Sequence, residues 1–196
     1  MNGTKSAVIK SVVLIFFAAL IVLGMYLLLT RNKEKEPKYD ESYALSSVDE
    51  ITTTNLDKNY PANPKKVVEL YAKTMQVLYR ETYSADQELK MITVLSGLMD
   101  DELLANQANF TQSMRNEVQE RKKEDYSISN YVVLTKDIDE TTVDGRKMCH
   151  VDLMYSLRKG TSGTSILKYR YVMRQDDAGI WKIMGWDLAP NDEDDN

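Results

Sequence analysis

The chain has 196 residues, with 25 basic and 30 acidic side chains and a formal net charge of −5 at pH 7. Charges of both signs are interspersed along it, and the sequence ends in an acidic run at 192–195. Binding a phosphate backbone requires clustered Lys and Arg, so this distribution argues against a nucleic-acid partner. Cys149 is the single cysteine, which excludes an internal disulfide.

Residues 11–30 form an uninterrupted apolar segment without a charged side chain. An α-helix rises about 1.5 Å per residue, so about 20 apolar residues span a hydrocarbon core of roughly 30 Å. The segment therefore predicts one transmembrane helix. A cleavable secretory signal is the alternative because Lys5 and Lys10 precede the segment, but such signals have shorter apolar parts and a small-residue cleavage site.

Basic residues lie on both sides of the predicted transmembrane helix, so charge alone does not decide its orientation. Lys5 and Lys10 precede the segment, and four basic residues follow it between 31 and 38. Counting positive charges alone slightly favours the C-terminal domain inside. Long domains, however, translocate largely regardless of flanking charge, and we expect the N terminus inside and the C-terminal domain outside the cytoplasm. The predicted location is the cell membrane, with a single pass.

Composition divides the remainder of the chain. Residues 1–10 are a short N-terminal tail, and residues 31–62 are a polar linker in which a few apolar side chains can dock locally on the domain. Residues 63–188 have the length of one folded domain, and residues 189–196 form an acidic tail. The docking candidates in the linker are Tyr43, Leu45, Val48 and Ile51.

Three helices are predicted at the start of the domain. Asn63 and Pro64 suit the N-cap and first turn of one helix, Ser84 with Gln87 forms a capping-box signal for the second, and Asn109 caps the third. Apolar residues at helical spacing should face the core. They are Val67, Tyr71, Met75, Leu78 and Tyr79 in the first helix, Leu89, Ile92, Leu95 and Met99 in the second, and Phe110, Met114 and Val118 in the third.

Between the second and third helices, Asp100, Asp101 and Glu102 form an acidic cluster. Carboxylates are favourable at a helix N-terminus because they cap backbone N–H groups and complement the helix dipole. We therefore expect this cluster to have a structural role.

From Tyr126 the hydrophobic period changes from 3.6 to 2, which predicts strands. Asp144-Gly145 is a two-residue hairpin signal between predicted strands at 138–143 and 146–158. Residues 160–163 form a second turn, and 176–179 the last hairpin. If Gly185 marks a bulge, then Trp181, Ile183 and Trp186 share one face. Along one strand, Cys149, Val151, Leu153, Tyr155 and Leu157 alternate with Met148, His150, Asp152, Met154, Ser156 and Arg158.

The predicted fold class is α+β. An N-terminal transmembrane helix precedes three helices that pack on one face of a curved antiparallel sheet of four strands.

Two motifs carry a resemblance to known families. The ending Asp177, Gly179, Trp181, Lys182 and Ile183, after three helices and hairpin-linked strands, resembles the nuclear transport factor 2-like superfamily of cone-shaped α+β domains. The segments 60–64, 100–106 and 181–187 are similar to an uncharacterised family of membrane-anchored proteins from Gram-positive anaerobes. The first resemblance implies a pocket between sheet and helices, and the second implies no activity.

Candidates for chemistry are few. His150 is the only histidine and lies two residues from Asp152 on one strand face, so the two are candidates for an acid/base pair in a small isomerase or dehydratase. Cys149 lies on the apolar face and is expected to be a core side chain. Because adjacent strand residues point to opposite faces, Cys149 and His150 do not share a metal ion, and we expect no metal or cofactor.

A group of tyrosines allows two interpretations. Their rings can pack at the edge of the core with the hydroxyls in contact with water, or they can line an aromatic cleft for a ligand or peptide. They are Tyr71, Tyr79, Tyr83, Tyr155, Tyr169 and Tyr171.

The leading functional hypothesis is a noncatalytic binding or scaffolding domain held at the membrane through residues 11–30. Its expected partner is another protein or a second copy of the chain, because one strand face mixes Met and apolar groups with Arg, as interfaces do. The candidate residues for this pocket or interface are Met148, His150, Asp152, Met154, Arg170 and Val172. The enzyme that uses His150 and Asp152 is the alternative.

Overall fold

The computed structural model describes residues 45–189, so the predicted transmembrane helix at 11–30 and the acidic run at 192–195 lie outside the described residues. Within residues 45–189, no helix combines the length and the apolar character that crossing a bilayer requires.

The described residues form an α+β fold of five helices and five strands. The helices are α1 (Ser47–Thr52), α2 (Pro64–Arg80), α3 (Ala85–Leu98), α4 (Asp101–Ala105) and α5 (Phe110–Lys123). The strands are β1 (Tyr126–Val133), β2 (Thr141–Val143), β3 (Arg146–Lys159), β4 (Thr164–Gln175) and β5 (Trp181–Leu188). Their order in the antiparallel sheet is β1-β3-β4-β5, and β2 pairs with β3.

The α+β class is confirmed, and α2, α3 and α5 correspond to the three predicted helices. Strand β2 lies within the strand predicted before Asp144-Gly145. The sheet has five strands and not the predicted four, because Tyr126–Val133 forms an additional strand, β1. Helices α1 and α4 were not predicted as separate elements. They contain only 6 and 5 residues. Elements of this length are too short to display a hydrophobic period.

The three predicted helix starts are confirmed by capping hydrogen bonds. The Asn63 side chain accepts from Lys66 N at 3.0 Å, and Asn109 caps α5 in the same way. At the start of α3, Ser84 and Gln87 form the reciprocal capping box with hydrogen bonds of 2.9 and 3.2 Å. These bonds satisfy backbone donors that have no partner within the helix.

The predicted core faces of α2 and α5 are confirmed, but one residue of α3 was placed wrongly. Leu89 is 47% exposed, whereas Met91 is fully buried. Glu88 occupies the inward position at this end of α3, where Arg115 of α5 donates to its carboxylate at 2.8 Å. The buried ion pair therefore turns Leu89 towards solvent.

Part of the segment predicted as a linker packs on the domain. Val48 and Ile51 of α1 are buried, as expected, while Leu45 is exposed. Tyr43 lies outside the described residues. The Leu56 side chain approaches Gly97 so closely that a Cβ on Gly97 would lie 2.6 Å from Leu56 Cδ1. Glycine at position 97 thus permits this contact.

The alternation predicted for β3 is confirmed, because Cys149, Val151, Leu153 and Tyr155 are all buried against the helices. We call this the inner face of the sheet and the opposite one the outer face. The bulge predicted for β5 is also confirmed. Val172 pairs with Gly185 and Met173 with Ile183, so Met184 is an extra residue. This places Trp181, Ile183 and Trp186 on the inner face.

The helices are joined to the sheet at β5. Met99 pairs with Ile183, and Asp100 N donates to Ile183 O at 2.8 Å. Asp100 caps α4, as predicted, by accepting from Glu102 N at 3.0 Å. It also accepts two hydrogen bonds from Arg174 of β4, a partner that the sequence did not indicate. The pair links α4 to the sheet.

The ionised form of Asp100 is stabilised by these contacts. Burial by itself raises the pKa of Asp100, but the hydrogen bonds from Arg174 and from the backbone N–H of Glu102 outweigh it. The net effect is a pKa below the usual value.

Replacing Asp100 by Asn should lower the free energy of unfolding by on the order of 2 kcal/mol at pH 7, because Arg174 loses the more buried of its two carboxylate partners. Arg174 keeps Glu102 at 3.0 Å, and the N-cap is retained. The pKa of Asp100 in the folded chain lies below the unfolded-state value of about 3.9. Ionised Asp100 therefore contributes fully to the free energy of unfolding above about pH 5, and this contribution is lost as pH falls through the folded-state pKa. Urea denaturation measures the difference in the free energy of unfolding between the unaltered chain and Asp100→Asn. This difference should therefore be smaller near pH 3 than at pH 7. The exposed neighbour Asp101→Asn is the control, and an equal difference at both pH values would contradict the assignment.

Candidate functional site

A cavity of about 410 Å³ lies between the helices and the inner face of the sheet. Helices α2 and α5 line one side, and strands β1, β3, β4 and β5 line the other. Volumes of roughly 300–1,000 Å³ with largely apolar walls are typical of small-molecule sites. The aromatic residues that line it are Tyr71, Tyr79, Tyr126, Tyr155, Tyr169, Tyr171 and Trp186.

The cavity lies beside the turn that connects β3 to β4. At the other end of these strands, Cys149, Val151 and Met173 are buried to 1% exposure or less. Near the turn, Leu157 and Leu167 are only half-buried and line the cavity. The helices therefore cover one end of the β3–β4 hairpin more completely than the other.

Three rings pack against one another on one side of the cavity, and we call them the aromatic cluster. The Tyr71 ring centroid lies 5.6 Å from that of Tyr171 and 5.7 Å from that of Trp186, and the last two are 6.0 Å apart. Edge-to-face and tilted contacts at these distances are favourable. Tyr71 and Tyr171 are buried, and Trp186, at 37% exposure, is the ring of the cluster that a bound molecule can reach.

The tyrosine hydroxyls make the cavity polar without adding a charge. The hydroxyls of Tyr155 and Tyr171 are 3.1 Å apart and form a hydrogen bond. Burial, followed by the influence of neighbouring tyrosines, raises the pKa of Tyr71, Tyr155 and Tyr171 well above the usual value of 10. These hydroxyls therefore stay protonated at neutral pH and act as hydrogen-bond donors.

Two charged side chains of α5 lie at the opening of the cavity. Glu117 Oε1 accepts a hydrogen bond from Tyr79 Oη at 3.0 Å. The Arg121 guanidinium lies 5.5 Å from the Tyr126 ring centroid, and Lys159 Nζ lies 4.7 Å from the same centroid. Both Glu117 and Arg121 are exposed, so a bound molecule can reach them.

The residues predicted as an acid/base pair lie elsewhere. His150 is exposed on the outer face, and Asp152 is directed to Arg170, whose Nε and Nη2 donate to its two carboxylate oxygens at 2.8 Å each. Hydrogen bonding from Arg170 lowers the pKa of Asp152. Neither His150 nor Asp152 lines the cavity between helices and sheet.

The remaining predicted interface residues share the outer face with this ion pair. Cross-strand pairing places Met148 beside Arg174, His150 beside Val172 and Met154 beside Lys168. Met148, Met154 and Val172 are half-buried. All six predicted residues therefore lie on one surface, opposite the cavity.

Cys149 is a buried core residue, as predicted. Burial, with a smaller effect of Glu140, raises the pKa of its thiol to about 12, which disfavours the reactive thiolate. In the described part of the chain, His, Cys, Asp and Glu side chains form no cluster of three or more that is suited to a metal ion.

A family model described as "Domain of unknown function (DUF6715)" matches residues 1–186. This chain belongs to the DUF6715 family. The expectation of an uncharacterised family is thereby confirmed. No curated protein matches the sequence.

Two solved structures are similar to this DUF6715 chain. The crystal structure of the intermembrane space region of the chloroplast protein ARC6 has 14% identity and a TM-score of 0.34, and the match covers 67% of this chain and 100% of that one. A solution NMR structure of a de novo designed beta-sheet protein has 15% identity and a TM-score of 0.31, with 64% and 87% covered.

Five of the six tyrosines singled out in the sequence line the cavity of the DUF6715 domain. Tyr83 does not, because its hydroxyl donates to Leu78 O at 2.7 Å and Lys122 lies over its ring. Sequence reasoning did not assign Tyr126 or Trp186 to the site. The β5 bulge was the available signal for Trp186, since it turns that ring to the inner face.

The raised tyrosine pKa values predict a loss of stability at alkaline pH. The raised pKa values contribute fully to the free energy of unfolding below the unfolded-state tyrosine pKa of about 10. This contribution is lost as pH rises above about 10 towards the folded-state pKa, because the unfolded chain releases these protons more readily than the folded chain. The Tyr155→Phe/Tyr171→Phe double variant of the DUF6715 domain should lose less stability between about pH 9 and pH 11. Denaturant unfolding at both pH values measures this, and Trp186→Phe, which removes no hydroxyl, is the control. A pH dependence identical to that of the unaltered chain would contradict the prediction.

Proposed function

We propose that this DUF6715 protein is a membrane-anchored, noncatalytic binding domain whose ligand occupies the aromatic cavity. The observation that carries the proposal is the cavity of about 410 Å³ with its aromatic walls and protonated hydroxyls. Aromatic side chains supply large contact areas at little entropic cost, and their hydroxyls orient a ligand by hydrogen bonding.

A noncatalytic role is supported by the chemistry of the lining. Among the described residues that line the cavity there is no histidine or cysteine, and Glu117 is its single carboxylate. The tyrosines, with their raised pKa values, do not act as bases at neutral pH. The alternative enzyme would rely on His150 and Asp152, and the position of this pair on the outer face gives that hypothesis no enclosed site.

Membrane attachment is part of the proposal and rests on the sequence. The apolar segment 11–30 has the length of a single span, and the family match includes it. We place the domain outside the cytoplasm. The likeness to nuclear transport factor 2-like domains and to membrane-anchored proteins of Gram-positive bacteria also belongs to this proposal, and the cavity between sheet and helices supports the first.

Filling the cavity should abolish binding of a small neutral aromatic probe. Leu167 lines the cavity, whereas its neighbour Ile166 is 54% exposed on the outer face. Leu167→Trp should therefore prevent binding, and the matched control Ile166→Trp should leave it intact. The measurement is saturation-transfer NMR with 4-hydroxybenzamide on the full chain in lipid nanodiscs. The proposal fails if the probe does not bind the unaltered chain, or if Leu167→Trp binds it equally well.

The outer face supports a second candidate role, self-association. Three apolar side chains are exposed there, Val132 at 40%, Leu134 at 38% and Ile166 at 54%, next to the half-buried Met154 and Val172. Interfaces are enriched in Met and Arg, and this face also presents Arg170. A membrane tether would confine copies of the chain to one surface and raise their local concentration, so we assign a second copy as the occupant.

Met154→Asp and Val172→Asp should each weaken this association, because each places a charge in an apolar contact area, where association would remove it from water. Crosslinking of full-length chains that carry Val172→Cys, with and without Met154→Asp, measures the effect. The control is Leu89→Asp, since Leu89 is exposed on α3 and away from the sheet. Absence of crosslinks, or crosslinks that Met154→Asp leaves unchanged, would remove this surface as a self-association site.

A further inference from the structure

The opening of the aromatic cavity carries a negative and a positive side chain at separate positions. Glu117 and Arg121 are one turn apart on α5, yet among the ion pairs of residues 45–189 they do not pair with each other. Glu117 instead accepts from the Tyr79 hydroxyl, and Arg121 lies over the Tyr126 ring. Both charged groups therefore remain available to a ligand.

The Glu117 and Arg121 charges act in opposite directions on Tyr79, because Glu117 raises and Arg121 lowers the pKa of its hydroxyl. The Glu117 carboxylate contributes to the raised pKa of Tyr71 and Tyr79, so its negative field extends to the inner tyrosines. The positive charges of Arg121 and Lys159 both lie near Tyr126. A ligand at the opening would thus meet the Glu117 carboxylate and the Arg121 guanidinium, which both line the cavity.

The aromatic cluster restricts the shape of the ligand body. Its rings contact one another at centroid distances of 5.6 to 6.0 Å, which leaves no space between them for a bulky cation such as trimethylammonium. The exposed Trp186 indole, which packs on Tyr71 and Tyr171, instead offers a ring on which another flat ring can pack. An aromatic ligand body fits this ring better than a quaternary ammonium group does.

We propose that the ligand is a free aromatic α-amino acid. Its ammonium group would contact Glu117, its carboxylate Arg121, and its ring the Trp186 indole of the aromatic cluster. Side chains four residues apart on a helix have Cβ atoms about 5 to 6 Å apart, so both can reach the two charged groups of one α-carbon. Charge-assisted hydrogen bonds to both groups would fix its orientation. This inference rests on the proposed binding role of the cavity.

Binding of L-phenylalanine to the full chain in lipid nanodiscs, measured by isothermal titration calorimetry, tests the assignment. Phenethylamine lacks the carboxylate, 3-phenylpropanoate lacks the ammonium group, and glycine lacks the ring. Each should bind at least about tenfold more weakly than L-phenylalanine, as expected for the loss of one charge-assisted or aromatic contact.

Charge-removing variants locate the two contacts. Glu117→Gln should weaken binding of L-phenylalanine and phenethylamine but not of 3-phenylpropanoate. Arg121→Gln should weaken binding of L-phenylalanine and 3-phenylpropanoate but not of phenethylamine. The matched control is Glu120→Gln, which lies on the same helix but outside the cavity lining. Circular dichroism of each variant verifies that the fold is retained.

Two results would overturn the inference. One is binding of phenethylamine or 3-phenylpropanoate as tight as that of L-phenylalanine, and the other is no effect of either charge removal. Failure of the inference is distinguishable from failure of the binding role. If L-phenylalanine does not bind while 4-hydroxybenzamide binds and Leu167→Trp blocks it, only the amino-acid assignment fails.

Discussion

The cavity depends on a difference in length between the β3–β4 hairpin and the helix that packs on it. Strand β3 has 14 residues, about 46 Å at 3.3 Å per residue, whereas the 17 residues of α2 span about 25 Å. No orientation of α2 can cover the whole inner face. The covered end is closed by aliphatic and sulfur side chains such as Val151, Leu153 and Met173. Near the turn the inner face carries tyrosines, because a tyrosine can bury its ring as a hydrophobic group while its hydroxyl forms a hydrogen bond, as between Tyr155 and Tyr171.

The two faces of the sheet consequently have different chemistry. The inner face offers aromatic rings and hydroxyls that burial keeps protonated, with charge only at the opening. The outer face carries the Asp152–Arg170 ion pair among half-buried methionines and exposed aliphatic side chains. Because strand residues alternate between faces, the two surfaces share strands but no side chains. A ligand in the cavity and a partner on the outer face would therefore not compete for the same residues.

Much of the fold was predictable because its determinants are close in sequence. The caps at Asn63, Ser84 and Asn109 bind backbone groups three residues away. The turns at 144–145 and 176–179 depend on residues that tolerate a positive φ, as at Gly145 (φ +80°). The alternation along β3 follows from the geometry of a single strand. The tyrosines of the site were predictable for the same reason, as residues of amphipathic elements, although their meeting in one cavity was not.

Thus the sequence by itself determined the positions of the long helices, the hairpins and the inner face of β3. Only the tertiary structure decided which distant groups meet. Arg174 pairs with Asp100 across 74 residues, and Glu88 displaces Leu89 from the core because Arg115 of another helix faces it. The same holds for Trp186, which joins Tyr71 only once β5 lies beside β4. Such contacts depend on the packing of whole elements, and no local pattern encodes the separation between a helix and a sheet that leaves a cavity.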